Sequence, residues 1–372
     1  MKKFSSIFAL LIAFNLFGIS KRELNRLIGQ ARRFESIGQY DSALVIYSKI
    51  YEVAPKQSFS DIVRVAKKLK DFKTIILYSK KELKNNPEDK NIMNHLITAY
   101  RELGNLKGAI KELKKLRNQV AYEKIGDIYA ELGNFKSAEK YYSKGRAYYK
   151  LGLIYKDKSP AEAVKYFKKL PESDKTLKEI FYCYLKLMRI SSAKKLARNI
   201  KSPDLRYYLL GNVFYYSGDF DSARIFYNYI GSESNYFTTA FLRQLIIINN
   251  INIEELAKIS QAEYYNEIKD PKQALAILNT ISDSSVIDEA LYLKGKIYAQ
   301  LGEYKKSIEA FTQFIETYEN YLVTYTYYEL GEVYTKLGDY RKAKDIYKEF
   351  LVNYPTSPIA PVIRARLERL ED

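Results

Sequence analysis

Residues 328–343 read Tyr-Glu-Leu-Gly-Glu-Val-Tyr-Thr-Lys-Leu-Gly-Asp-Tyr-Arg-Lys-Ala, and this stretch decides which fold the sequence predicts. Gly331 lies inside an apolar helical pattern, where glycine costs roughly 1 kcal/mol relative to alanine, so we expect a neighbouring helix to approach its backbone closely. Gly338 suits the left-handed residue that ends a helix, and Asp339 suits the cap of the next one. Tyr340 is expected to fill the gap between the two helices.

The same pattern recurs along the chain. Three more copies keep two glycines seven residues apart, followed by an aromatic residue two positions later: Gly126 to Phe135, Gly211 to Phe220 and Gly295 to Tyr304. A large residue recurs four positions after a small one on the same predicted helix face: Tyr47, Tyr142, Tyr227, Phe311 and Tyr347. Pro55, Pro87 and Pro355 each fall 15 residues after the turn aromatic, where they should stop a helix. This punctuation predicts a repeat of about 34 residues with two helices per unit.

The fold predicted from this repeat is all-α, a solenoid of about eleven antiparallel helix pairs with a C-terminal capping helix over 359–370. The expected starts of the pairs are residues 24, 58, 90, 119, 146, 174, 204, 234, 262, 286 and 323. We divide the chain into N-terminal units (21–156), degenerate units (157–285), best-matching units (286–355) and a capping segment (356–372). In the degenerate middle, Pro160 and Pro271 replace the turn aromatic, and 249–252 and 282–285 are expected to be joints.

The first 20 residues are typical of an export signal. Lys2 and Lys3 precede the apolar run 7–17, and Gly18 and Ser20 offer a cleavage site after Ser20. An uncleaved membrane anchor is the alternative. If the chain is exported, the single cysteine, Cys183, is expected to be packed inside the protein.

From about residue 24 to 355 the chain resembles a tetratricopeptide-repeat protein. Its last units are similar to those of periplasmic proteins, namely outer-membrane-assembly lipoproteins and the Tol-Pal coordinator. The residues that carry this closer likeness are 314–318, the Gly331/Gly338 unit and 350–358. The chain has no cysteine near the proposed cleavage site, so the lipid anchor of those lipoproteins is not expected here.

The composition favours binding over catalysis. The sequence has one His, His95, one Cys and no phosphate-binding or dinucleotide-binding glycine loop, so we predict no catalytic residues, no metal and no cofactor. The net charge of +17 and the 36 tyrosines suit contact with partners. A solvated, Lys-rich helical surface is the alternative reading of that charge.

The resemblance implies that first helices line a concave groove that holds an extended peptide or a partner helix. Carrying the groove positions onto this sequence predicts these partner-binding residues: Tyr149, Tyr208, Asn212, Tyr215, Tyr216, Tyr292, Lys296, Tyr325, Tyr328 and Lys336. For Tyr208, Tyr215, Tyr292 and Tyr328, packing between units is an equal alternative.

The sequence therefore predicts a non-catalytic, exported scaffold that binds proteins of the bacterial cell envelope through a Tyr-rich groove. A module that binds peptidoglycan or another anionic glycan is the alternative, because aromatic faces stack on sugars and the basic surface attracts acidic groups. A nucleic-acid-binding surface is the least favoured hypothesis, since the export signal argues against it.

Overall fold

The computed structural model describes residues 20–250, 252–282 and 286–371, and in these ranges the chain forms 22 α-helices and no β-strand. The predicted signal segment lies outside the described residues except for Ser20, whose hydroxyl caps the first helix by accepting from the Glu23 amide. Parts of the two predicted joints, residues 251 and 283–285, also lie outside them.

The chain divides into two compact units, one up to Ile154 and one from Tyr155. The first unit holds helix pairs joined by short turns: α1 (Lys21–Ser36) with α2 (Tyr40–Val53), α3 (Pro55–Lys68) with α4 (Phe72–Asn85), α5 (Lys90–Glu102) with α6 (Leu106–Leu116), and α7 (Gln119–Glu131) with α8 (Phe135–Lys144). The division falls inside α9 (Tyr148–Lys158), which α10 (Pro160–Phe167) follows. The four-part division predicted from the sequence stays a prediction.

The second unit continues the same alternation of helices. Its members are α11 (Asp174–Lys186) with α12 (Ile190–Ala197), α13 (Pro203–Tyr216) with α14 (Phe220–Asn228), the single helix α15 (Phe237–Asn249), α16 (Ile253–Glu267) with α17 (Pro271–Leu278), α18 (Ile287–Gln300) with α19 (Tyr304–Thr317), α20 (Val323–Leu337) with α21 (Tyr340–Asn353), and the last helix α22 (Ala360–Glu371). Neighbouring helices along the chain pack on each other, so the fold is the predicted all-α solenoid of tetratricopeptide type.

The turn inside most pairs has one conformation. A residue with positive φ stands two positions before the second helix in nine turns: Gly38, Lys70, Gly104, Gly133, Met188, Gly218, Lys269, Gly302 and Gly338. The next residue caps the second helix where it is Asp or Asn; the side chain of Asp339, for example, accepts from the Lys342 amide at 3.1 Å. Both roles predicted for the turn residues are confirmed.

The glycine inside the first helix makes room for a ring of the second helix. A methyl group at Gly126, Gly211, Gly295 or Gly331 would overlap the aromatic ring 16 residues later, which belongs to Tyr142, Tyr227, Phe311 or Tyr347 respectively. In the α11/α12 pair the sizes are reversed, because the two buried residues at this spacing are Phe181 and Ala197. The predicted close approach of helices at these glycines is confirmed.

Prolines mark the boundaries of helices as predicted. Helices α2, α4 and α21 end two residues before Pro55, Pro87 and Pro355. Pro160 and Pro271, which replace the turn aromatic in the degenerate middle, are the first residues of α10 and α17, where a missing amide hydrogen has no cost.

Two details of the sequence prediction are wrong. Phe135 and Tyr340 do not fill the gap between their helices but are 53% and 55% exposed. The gap is filled seven residues later by Tyr142 and Tyr347, which reach the glycine of the first helix. Helix α22, by contrast, matches the predicted cap, with its Ile363 buried and most of its charged residues exposed.

The described residues hold ten pairs and two single helices, which agrees with the predicted count of about eleven pairs, but two predicted starts are wrong. We expected pairs to start at 234 and 262, but α15 stands alone and the next pair begins at Ile253. Asparagines cause this boundary. The Asn250 side chain donates to the Ile246 carbonyl at the end of α15, and Asn252 caps α16 by accepting from the Glu255 amide.

Candidate protein-interaction surfaces

First helices lie side by side within each unit. In the second unit α13 contacts α16, α16 contacts α18 and α18 contacts α20, and in the first unit α5 contacts α7. The surface that these first helices share is called the first-helix face below. It carries the residues that the sequence predicted for a binding groove.

A recurring polar contact crosses the first-helix face. The tyrosine that fits against a first-helix glycine donates its hydroxyl to the residue that follows this glycine: Tyr142 to Asp127, Tyr227 to Asn212 and Tyr347 to Glu332, each at 2.9 Å. A basic residue of a later helix binds the same acceptor: Lys150, Arg243 and Arg366 respectively. The inner tyrosines therefore fix polar residues on this surface as well as packing the pairs together.

A variant of this contact occurs at the start of the chain. The Arg64 guanidinium of α3 binds both oxygens of Glu35 at 2.8 and 2.7 Å, and the Tyr47 hydroxyl donates to the same carboxylate at 3.2 Å. The hydrogen bond from Arg64 is the main reason why the pKa of Glu35 is lower than usual. The acidic residues in these contacts, Glu35, Asp127 and Glu332, are thus paired with basic residues of the protein itself.

The residues predicted around Gly211 are mostly interior. Asn212 and Tyr215 are fully buried, and Tyr208 is 8% exposed, with its ring stacked on Tyr236 at 4.8 Å between centroids. Tyr216 is partly buried. Burial raises the pKa of both Tyr215 and Tyr216 well above the usual value. These four side chains form a cluster that supports the fold.

Arg243 organises this cluster, although it is not among the residues predicted from the sequence. Its guanidinium donates to Glu263 at 2.6 Å, to Asn212 at 2.6 Å and to the Tyr216 hydroxyl at 3.0 Å, so α15 is tied to α13 and α16. The Tyr215 hydroxyl donates to the other oxygen of Glu263 at 3.3 Å. A signal was present in the sequence, since Arg243 is the only charged residue in the stretch 234–253.

The residues predicted around Gly295 divide between interior and surface. Tyr292 is 3% exposed and packs edge-on against Phe314. Lys296 keeps about a third of its side chain exposed, with its ammonium 5.1 Å from the centre of the Tyr292 ring and 3.8 Å from a Glu329 oxygen. Lys296 is therefore the accessible member of this pair.

The remaining predicted residues are at least partly accessible. Tyr149, Tyr325 and Tyr328 are half-buried, and Lys336 is exposed. The Tyr328 hydroxyl accepts from the Arg366 guanidinium at 3.3 Å. The role of all ten predicted residues in partner binding stays a prediction.

The positive charge is concentrated in the first unit. Residues 21–154 contain 28 basic and 15 acidic residues, a net charge of +13, whereas 155–372 contain 31 and 29, a net charge of +2. Within the first unit, Lys67 and Lys68 line an open cavity of about 570 Å³ together with Arg64 and His95. Burial, and then the charge of Lys67, lower the pKa of His95. The two units therefore offer electrostatically different surfaces.

The single cysteine lies in the protein interior. Cys183 is fully buried, as expected, and burial raises the pKa of its thiol to about 11. In the described ranges no three His, Cys, Asp or Glu side chains are grouped so that they could hold a metal ion. No helix in the part of the chain that the structure covers is long and apolar enough to span a membrane.

The fold is that of a helical-repeat protein. Family models described as tetratricopeptide repeat match residues 120–145, 288–321 and 325–357. These segments coincide with α7/α8, α18/α19 and α20/α21, three of the four pairs in which the first-helix glycine fits against an aromatic ring of the second helix. The chain therefore contains tetratricopeptide repeats, and such repeats are generally non-catalytic scaffolds that bind proteins.

Comparison with curated proteins finds no match. Among solved structures, the chain is similar to one titled "Structure of Naa15/Naa10 bound to HypK-THB", with 13% identity and a TM-score of 0.32. The similarity covers 92% of this chain and 69% of that one.

Proposed function

We propose that this protein is an exported, non-catalytic scaffold that binds protein partners of the bacterial cell envelope through its first-helix face. The observation that carries the proposal is that the predicted groove positions Tyr149, Tyr325 and Tyr328 are half-buried, so each keeps part of its ring accessible, and that Lys336 is exposed. Tyrosine offers a large rigid contact surface with a hydroxyl for hydrogen bonding, and lysine steers acidic partners. The buried members of the predicted set, such as Tyr215, support this surface from below.

The binding proposal is tested with a photo-crosslinking amino acid placed in the full-length chain. Positions Tyr149 and Lys336 lie on the proposed surface, and Val352, which is 79% exposed on the second helix α21, is the control. We expect discrete cross-linked products with envelope proteins from the first two positions and none from Val352. Products that form equally from all three positions, or from Val352 alone, contradict the proposal.

The envelope location rests on the pattern of residues 1–20 and on the likeness of 314–358 to periplasmic repeat proteins. Cell fractionation and the intact mass of the purified chain test it. We expect an envelope or periplasmic protein whose first residue is Lys21. A cytoplasmic chain that retains Met1 excludes export, and an envelope-bound chain that retains Met1 favours the uncleaved anchor.

A second candidate function is binding of peptidoglycan or another anionic glycan, which the net charge of +13 over residues 21–154 favours. Salt titration separates the two candidates, because binding to a polyanion weakens steeply as salt rises. Binding that depends weakly on salt and is lost in Tyr328→Ala supports protein docking instead.

A further inference from the structure

The positive charge of the first unit is concentrated on three of its second helices. Helices α4, α6 and α8 contain 11 lysines, three acidic residues and no arginine, so they supply +8 of the net charge of +13 over residues 21–154. The second helix before them, α2, holds Asp41 and Glu52 against Lys49. A basic second helix is therefore a property of these three helices and not of the fold in general.

The lysines stand at equivalent positions of the three helices. Counted from the left-handed turn residue before each helix, the third position is Lys73, Lys107 and Lys136, and the seventh is Leu77, Lys111 and Lys140. Both positions lie on one helix face together with the tenth, eleventh and fourteenth. Ten of the 11 lysines are exposed, and the members not yet named are Lys80, Lys84, Lys114, Lys115 and Lys144. We call these ten exposed lysines the lysine face.

Side-chain contacts place the three helices next to one another. Lys80 of α4 pairs with Glu112 of α6 at 3.3 Å, and the Lys114 ammonium of α6 lies 5.6 Å from the centre of the Tyr141 ring of α8. Eleven residues of helix, the interval from Lys73 to Lys84, span about 16 Å, and three helices packed about 10 Å apart span about 20 Å. The lysine face is therefore a two-dimensional array of charges and not a single row.

The acidic residues of α4, α6 and α8 do not balance this array. Glu82 is 5% exposed and accepts from the Tyr51 hydroxyl. Glu112 keeps 15% of its side chain exposed and accepts from Lys115 at 2.9 Å as well as from Lys80, and Glu139 is half-buried. Within these three helices, which the structure describes completely, no acidic side chain is exposed. The lysine face therefore attracts an anionic partner.

The kind of exposed side chain favours a lipid surface as this partner. Lysine is a hydrated point charge and lacks the fork with which arginine binds one phosphate or base edge in a fixed geometry. Among the residues of the three helices only Phe135 has an exposed ring, so the face has no row of rings on which bases or sugars stack. Leu77 and Phe135, 51% and 53% exposed, suit shallow contact with the boundary between headgroups and acyl chains.

We infer that the lysine face docks the first unit on the surface of an anionic membrane, with α4, α6 and α8 lying along the plane of the headgroups. A plane of lipid phosphates contacts all the lysines together, whereas an extended polyanion contacts one row of them. The attraction grows with the fraction of anionic lipid and weakens as salt rises. The inference goes beyond the proposed function, because it assigns a partner to the second helices and leaves the first-helix face to protein partners.

The first test measures sedimentation of the full-length protein with vesicles of phosphatidylcholine, with and without one third phosphatidylglycerol. We expect binding to be at least tenfold tighter with phosphatidylglycerol and to weaken steeply with added salt. Residues 1–20 are the same in every variant, and neutral vesicles measure what they contribute. Equal binding to both kinds of vesicle overturns the inference and identifies the lysine face as a solvated surface.

Two matched triple variants locate the contact. Lys107→Gln/Lys111→Gln/Lys140→Gln removes three charges from the lysine face, all at exposed positions. Lys56→Gln/Lys67→Gln/Lys68→Gln removes three exposed charges from α3, a first helix of the same unit, and is the control. We expect the first variant to lose at least tenfold in affinity for the anionic vesicles and the control to lose less than threefold. Equal losses mean that the vesicles respond to total charge, which contradicts the inference.

A fluorescent label shows directly which surface meets the bilayer. Ser143→Cys places a thiol beside Lys144 on the exposed side of α8, and Ser60→Cys places one on α3 in the cavity that Lys67 lines. The native thiol of Cys183 is buried and stays unlabelled. With brominated lipids in the anionic vesicles, we expect quenching of a dye at position 143 and none at position 60. Equal quenching, or quenching at position 60 alone, overturns the inference even if residues 1–20 hold the chain on the vesicle.

Heparin, a linear polyanion, distinguishes the competing occupant. If the lysine-face triple variant loses affinity for heparin and keeps its affinity for anionic vesicles, the lysine face belongs to a linear polyanion and the inference is wrong. The cross-links from Tyr149 and Lys336 do not involve α4, α6 or α8, so they report on the scaffold function whether or not the lysine face binds lipid.

Discussion

At the scale of single residues, the helical glycines show how a local cost serves packing. Glycine destabilises a helix interior by roughly 1 kcal/mol relative to alanine, so a Gly→Ala change normally stabilises an exposed helix. At Gly126 the added methyl group would overlap the ring of Tyr142, which must then move against a buried neighbourhood. The two effects have opposite signs, and the steric one is the larger, because overpacking a buried site typically costs about 1–3 kcal/mol.

We therefore predict that Gly126→Ala destabilises the protein by about 1–3 kcal/mol. Gly29 of α1 is the matched control in the same unit, because it is exposed and a methyl group there would meet no atom within 4 Å. Gly29→Ala should stabilise α1 by up to about 1 kcal/mol. Denaturant unfolding followed by circular dichroism measures both. If the two variants shift the midpoint in the same direction, the tight fit of Tyr142 is not what requires glycine.

A buried carboxyl provides a second prediction at this scale. Glu289 is 2% exposed at the start of α18, where it accepts from the Asn250 amide at 3.0 Å and from the Tyr321 hydroxyl. Burial, and then the neighbouring Asp288, raise the pKa of Glu289 to about 8. An unfolded chain ionises this group near pH 4.3, so between those values the folded state holds a proton that the unfolded state has lost. Stability then falls with rising pH by up to about 1.4 kcal/mol per pH unit.

We predict that Glu289→Gln reduces this loss of stability between pH 5 and pH 8 and makes the protein more stable than the wild type at pH 8. Glutamine keeps the two accepted hydrogen bonds without the buried charge. Unfolding midpoints across that range measure the effect, and Glu309→Gln, at an exposed glutamate, is the control with an unchanged slope. A wild-type slope retained in Glu289→Gln refutes the prediction.

At the scale of elements, the turns explain why the degenerate pairs still fold. Six of the nine left-handed turn residues are glycine, but Lys70, Met188 and Lys269 adopt the same conformation with φ of 54°, 55° and 69°. A residue with a side chain pays roughly 1–2 kcal/mol for this region, which glycine avoids at the expense of extra freedom when unfolded. The helices packed on either side therefore impose the turn even where the local sequence disfavours it.

This argument predicts that Met188→Gly stabilises the protein, by up to about 1 kcal/mol. Met188 is 65% exposed, so the change removes little packing. The reciprocal change Gly218→Ala, in the turn of the next pair, should destabilise by about the same amount. Thermal unfolding monitored at 222 nm compares the two. A Met188→Gly protein less stable than the wild type shows that the methionine side chain packs in solution.

The elements also show where sequence reasoning succeeds and where it fails. The Gly331 pair was predictable because each of its requirements, a close approach, a left-handed turn and a cap, selects one or two residue types. The single helix α15 was not predicted, because its sequence is apolar like that of a first helix and the asparagines of 249–252 were interpreted as a joint between pairs. The sequence could not show that Tyr215 and Tyr292 are buried, because a tyrosine at a groove position has the same spacing whether a partner protein or the chain itself covers its ring. At Tyr215 the covering group is Arg243.

At the scale of the whole molecule, the uneven charge predicts that the two compact units differ in their affinity for polyanions. Interactions with a polyanion release counterions, so their strength follows the number of basic side chains that reach the ligand. The net charge of +13 over residues 21–154 and of +2 over 155–372 therefore predicts that a polyanion binds the first unit. The second unit has almost no net charge, so it offers a polyanion little attraction.

We predict that Lys67→Gln/Lys68→Gln weakens the binding of a heparin probe by the full-length protein about three- to tenfold at low salt, and makes the dependence of log K on log salt less steep by up to about 2. Both lysines are exposed and line the same cavity, so they act together on the ligand. Arg341→Gln/Lys348→Gln removes the same charge from exposed positions on α21 and should change the affinity less than twofold. Affinities at four salt concentrations measure both quantities. Equal losses in the two double variants would mean that the probe responds to total charge, and the distinction between the units would then have no consequence for binding.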